Sequence, residues 1–238
     1  DPETARYIIQ NTLWWLGATG LDGIRQDTLP YVPRSFWNQW MAAIKREYPT
    51  VNVVGETLDG LPAQVAFFQG GVKRWDGVDS RIDTEFDYPL YFAIRDTFGK
   101  GQSVRKLVDV LQQDYLYPNP DVLVTLLGSH DVQRFMNEPG ATLDGLKLAF
   151  SFLLTTRGIP QLYYGDEIAL PGGNDAQFQP GVAIIGLERK RSEQHRARFR
   201  QLSRLFQIHP QRVVPKPSAD VPELFGVRAD YSTIHSLK

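Results

Sequence analysis

Residues 21–31, L-D-G-I-R-Q-D-T-L-P-Y, decide how this chain is read. The segment opens as a short strand and breaks at Pro30, and alternation along a strand puts Arg25 and Asp27 on one face. A strand that ends in an arginine and a carboxylate delivers charge to the rim of a sheet, where α/β folds bind their ligands. Alone, such a pair reads as a salt bridge or a turn cap. Two later strands end in the same manner, V-G-E-T at 54–57 and L-L-G-S-H-D at 126–131. Three polar strand ends in one chain point to one shared site.

Around these ends the pattern is strand, helix, strand, repeated. Residues 1–16 read as a helix, with Pro2 in its first turn and an apolar stripe through Ile8, Ile9, Leu13, Trp14 and Leu16. A strand is expected over 21–26, a helix over 35–48 and a buried strand over 51–55. Further helices are expected at 62–69, 88–98, 103–113 and 143–156, with strands near 77–83, at 122–127 and at 159–164. Five strands joined by helical crossovers are the signature of a parallel α/β architecture. An arginine-rich helix is expected over 187–208; its apolar stripe, Phe199, Leu202, Leu205 and Phe206, makes it an outer helix rather than a nucleic-acid contact.

Composition narrows the function classes. The 238 residues contain no cysteine, so neither disulfides nor thiolate chemistry are available. The formal net charge of −1 gives no pull toward nucleic acid or a membrane surface. No apolar run approaches the roughly 18 residues of a spanning helix. The D-P-E-T start lacks the features of a signal peptide and reads as that of a processed or excised piece, and localisation is left open.

The ordered set G-I-R-Q-D, V-G-E-T and L-G-S-H-D, followed by G-I-P-Q-L-Y-Y-G-D-E, resembles the α-amylase superfamily of retaining glycoside hydrolases over about residues 1–175, most of all the cyclomaltodextrinase and neopullulanase-like branch. The resemblance implies a partial TIM-type (β/α) barrel over 1–209, followed at 210–238 by a tail, a linker or the start of a truncated β domain. It implies Asp27 as nucleophile and Glu56 as general acid/base, with Asp131 favouring the strained transition state and Arg25 and His130 in support. The substrate implied is an α-glucan or maltooligosaccharide. Two carboxyls at the ends of adjacent parallel strands meet the separation of about 5 Å that retention requires. Arg25 should hold Asp27 ionised, while the charge of Asp27 and apolar walls should keep Glu56 protonated.

Other residues rank lower. Phe135, just past the third motif, is expected on the pocket wall. Asp79, Asp83, Glu85 and Asp87 form an acidic run that reads as a solvated loop; calcium is conceivable there, but a dense ligand loop is missing. Residues 163–167 should have a structural or rim role. Trp14, Trp15, Trp37 and Trp40 fall on helices and should be core; His195, His209 and His235 show no metal spacing.

The family barrel has eight strands, and its asparagine-and-histidine motif on an earlier strand has no counterpart here. Residues 176–186 and Pro30 also depart from the branch. A five-stranded part of a barrel exposes two edges, so self-association into a homodimer is expected. The rival reading is a catalytically silent half-barrel that self-associates and binds sugars weakly; a third is a parallel α/β protein whose strand-end charges are salt bridges.

Overall fold

The computed structural model describes residues 1–172. The helix expected at 187–208, the boundary at 209/210 and the three later histidines lie outside the described residues. Within them run five strands: β1 (Gly23–Gln26), β2 (Asn52–Gly55), β3 (Thr84–Glu85), β4 (Val124–Leu126) and β5 (Ile159–Gln161). The principal helices are α1 (Pro2–Thr19), α2 (Arg34–Glu47), α3 (Pro62–Phe68), α4 (Tyr88–Ile94), α5 (Arg105–Leu111) and α6 (Leu143–Thr155). β1, β2 and β3 pair in parallel, and so do β4 and β5. A parallel bridge between Phe86 and Val124 connects the two groups, so the strands lie side by side in chain order.

Two large apolar cores, with two smaller clusters around Leu123 and Leu126, hold this arrangement among the described residues. Leu16 of α1, with Trp37, Trp40, Met41 and Ile44 of α2, packs against Leu29, Val53 and Ile82. The second core joins Leu90 and Ile94 of α4 to Leu127, Phe135 and, from α6, Leu146, Phe150 and Leu153. Trp37 and Trp40 are core, and their indole N–H groups donate to Leu29 O at 3.0 Å and Thr12 Oγ1 at 2.9 Å. Trp14 and Trp15 correct the expectation, being 61% and 51% exposed. α1 packs on α2, its main neighbour among the described residues.

The third strand lies beyond its expected place at 77–83. Side chains there are engaged with backbone: Asp79 Oδ1 accepts from Gly71 N and Arg81 N, Ser80 donates to Phe68 O, and Asp83 accepts from Val53 N. Pairing with β2 therefore starts at Thr84, after a single parallel bridge from Ile82 to Gln69. The acidic run is also not a solvated loop, because Glu85 and Asp87 are fully buried. Gly55 makes room for Glu85: a Cβ at Gly55 would stand 2.7 Å from its Oε1. Burial pushes the Glu85 carboxyl well above its ordinary range, and neither of its oxygens is hydrogen-bonded among the described residues.

Asp87 caps α4 by accepting from Leu90 N at 3.1 Å, and it pairs with Arg157 just before β5. Arg157 also forks onto Asp114, at 2.8 Å from Nε and 2.6 Å from Nη2. One guanidinium thus ties β5, the start of α4 and the loop before β4 together. Arg157→Met leaves Asp87 buried without its cation. We expect the variant to lose about 3 kcal/mol in urea unfolding, and a loss below about 1 kcal/mol would contradict this role.

Candidate active site

The register of β1 and β2 builds the site. Arg25 lies beside Val54 and Gln26 beside Gly55, so the next residues on the two strands, Asp27 and Glu56, stand side by side on the face that carries Arg25. The ladder continues past the strand ends, with Glu56 N donating to Gln26 O at 2.9 Å and Leu29 N to Glu56 O at 3.1 Å. Thr28, directly after Asp27, is held at φ 49, a left-handed conformation uncommon outside glycine. The backbone on both sides of Asp27 is thereby fixed.

Arg25 gathers the carboxyls. Its Nη2 lies 2.5 Å from Glu56 Oε1 and 3.2 Å from Asp131 Oδ2, and its Nη1 lies 3.4 Å from Asp27 Oδ1. His130 Nε2 is 3.1 Å from Asp131 Oδ2. Asp27, Glu56, Asp131, Arg25 and His130 therefore meet at one place, at the C-terminal ends of β1, β2 and β4.

Their environments differ. The Asp27 side chain is 63% exposed, whereas that of Glu56 is 7% exposed. A hydrogen bond from the Glu56 carboxyl, then the charge of Arg25, holds Asp27 below the usual carboxylate range. Burial, then the shared hydrogen bond with Asp27, pushes Glu56 up; Arg25 and the Tyr88 hydroxyl oppose the rise. The two carboxyls are thus pushed in opposite directions, the asymmetry that acid–base chemistry at a single centre needs.

Phe135 stands apart from this group. It is 1% exposed, inside the core between α4 and α6, so it offers no wall to a ligand. The turn at Phe135–Asn137 directs its side chain inward, while the preceding loop faces the site. That loop is held by Arg95, a buried guanidinium that donates to the carbonyls of Leu127, Gln133 and Arg134 and to Glu138 Oε1 at 2.7 Å. Arg134 anchors the 163–167 segment through Tyr164 O at 2.6 Å and the buried Asp166, whose carboxyl is pushed up to about 6 by burial.

Tyr88, absent from the sequence reading, completes the site. Its hydroxyl donates to Glu56 Oε1 at 3.0 Å, reaching across from the first turn of α4. The signal lay in D-Y-P-L directly after β3, obscured because that strand was expected several residues earlier.

The Alpha amylase, catalytic domain family matches residues 1–205, and the chain belongs to that family. It is 36% identical over 182 residues to a beta/alpha-amylase of Paenibacillus polymyxa and 33% identical over 181 residues to a cyclomaltodextrinase of Geobacillus thermopakistaniensis, matches that each take in 74% of this chain. The chain spans 14% and 29% of the lengths of those relatives. The crystal structure of the Geobacillus thermoleovorans α-amylase in complex with acarbose superposes with a TM-score of 0.66 at 29% identity, over 85% of this chain and 45% of that one. The fold is therefore an α/β fold of the kind found in α-amylase barrels.

Tyr88 donates to the ionised form of Glu56, so its removal must favour the protonated form. In Tyr88→Phe the Glu56 carboxyl, followed by carbon NMR, should titrate higher than in the parent. A downward shift would contradict this arrangement.

Proposed function

We propose that the chain supplies the second half of a (β/α) barrel of a retaining glycoside hydrolase that cleaves α-linked glucans, α-1,4 bonds first, by double displacement. The observation that carries this reading is the register that sets Asp27 beside Glu56, with Arg25 bridging both. The exposed, ionised Asp27 attacks the anomeric carbon, and the bond from that carbon to the glycosidic oxygen breaks. Glu56 gives its proton to that leaving oxygen. A glycosyl ester on Asp27 results. Glu56, now a carboxylate, takes a proton from water, which attacks the same carbon, releases Asp27 and restores the original anomeric configuration. Asp131 and His130 are placed to bond the hydroxyls of the sugar whose bond is cut. Relatives named cyclomaltodextrinase and maltogenic α-amylase support an α-glucan as the substrate.

The barrel needs closing. Among the described residues β1 pairs with β2 alone and β5 with β4 alone, and Pro160 within β5 suits an edge. Apolar side chains lie exposed on α1, which leads into β1, and at β5: Tyr7, Ile8, Trp14 and Trp15 on the first, Ile159 and Leu162 at the second. We infer self-association through these edges, a second copy supplying strands that cover them. A catalytically silent, self-associating half-barrel is the second reading, favoured by the same two edges.

Hydrolysis of a chromogenic maltooligosaccharide separates the two readings. The parent should release chromophore and Asp27→Asn should fall by about 10³-fold or more; no activity in either leaves the silent half-barrel. Light scattering on the purified chain should give at least twice the monomer mass. A compact, stable monomer would contradict the closure.

A further inference from the structure

The fifth tryptophan, Trp75, has no part in either core or in the site at the strand ends. It is 89% exposed, at the tip of a turn closed by Arg74 N to Val78 O at 3.1 Å and Gly77 N to Arg74 O at 2.9 Å. Both residues beside it are tied into the fold. Arg74 Nη2 donates to Ala66 O at 2.6 Å and Leu116 O at 3.0 Å. Asp76 accepts from the buried Arg34 at 2.6 Å, at the start of α2.

The ring itself is braced. Trp75 stacks on Phe67 with centroids 5.5 Å apart and planes 17° apart, and the Arg34 guanidinium lies 4.3 Å from the Phe67 centroid. Leaving a large indole in water forgoes the stabilisation its burial would bring. Here it is nonetheless held in place from both neighbours and from beneath, so its exposure is a property of the fold rather than of a loose loop.

Beside the turn lies a groove of about 890 Å³ lined by Ser35, Asn38 and Gln39 of α2 and by Lys73, Asp79 and Arg81 of the loop. Among the described residues, the side chains of Gln39, Lys73 and Arg81 make no hydrogen bond or ion pair with protein groups. A flat, rigid aromatic face on the turn that borders this groove, with its amide, hydroxyl and two cations, matches the surface of a pyranose, whose two faces present axial C–H groups and whose rim presents equatorial hydroxyls.

We propose that Trp75 and this groove form a second carbohydrate-binding site, separate from the Arg25 cluster, that takes a segment of α-glucan chain. The identity of the sugar rests on the α-glucan reading above; the site does not depend on whether the chain hydrolyses it.

The test is affinity electrophoresis of the full chain through gels containing amylopectin, in a Glu56→Gln background so that the polysaccharide is not digested. Trp75→Ala should weaken retardation by about tenfold in apparent dissociation constant, and Gln39→Ala should weaken it by a smaller factor. Trp75→Phe should restore most of it. An equal unfolding midpoint in all variants confirms that the fold is intact. Retardation unchanged in Trp75→Ala, or absent from the Glu56→Gln parent, overturns the proposal. Hydrolysis by the parent, read separately, reports on the α-glucan reading: retardation that depends on Trp75 without hydrolysis keeps this site and removes the activity.

Discussion

The Arg25 guanidinium is the interaction on which the site depends. It stands among three carboxyls that follow the ends of three different strands, and it contacts each of them. One cation cannot neutralise three carboxylates, so the cluster favours keeping a proton. Burial decides which carboxyl holds a proton more tightly. Glu56 is enclosed and Asp27 is open to water, so Glu56 is pushed up and Asp27 is held down. The difference between two chemically similar side chains thus follows from their depth, with Arg25 and Tyr88 limiting how far the rise at Glu56 goes.

The fold serves to make that meeting unavoidable. A parallel pair in the register Gln26 beside Gly55 puts the following residues level, and alternation puts them on the face of Arg25. Gly55 then admits the buried Glu85 from β3, which packs beneath the site without a hydrogen-bonding partner among the described residues. Asp131 and His130 arrive from a loop rather than a strand, and Arg95 fixes that loop by three carbonyls and one carboxylate. Buried guanidiniums recur as the joints of the structure: Arg95 behind the loop, Arg157 across β5 and α4, Arg34 beneath the Trp75 turn. Arg95 and Arg157 each satisfy several acceptors from separate segments at once, which a lysine could not do with the same fixed geometry, and Arg34 joins Asp76 and the Phe67 ring.

Where a signal was local, the sequence carried it. Arg25 and Asp27 share a face because strands alternate, and the polar ends of β1, β2 and β4 could be read directly from G-I-R-Q-D, V-G-E-T and L-G-S-H-D. Where the outcome depended on a neighbour, it did not. Trp14 and Trp15 have the spacing of core residues, but α1 packs on α2 and leaves them exposed. Glu85 and Asp87 have the composition of a solvated loop, but β2, Gly55 and Arg157 enclose them. Phe135 follows the third motif in sequence, yet the turn it begins points it into the core. Tyr88 was hidden by the same error that displaced β3, since side chains at 79–83 bind backbone that a strand would otherwise have paired.

The most direct test of the account is to trap the covalent intermediate. The chain, at a concentration that permits association, is incubated with a fluorinated α-maltosyl fluoride, digested, and read by mass spectrometry. The account predicts a glycosyl adduct on the peptide that contains Asp27, lost in Asp27→Asn. An adduct on Glu56 would contradict the assignment of roles, and the absence of any adduct would contradict a working pocket.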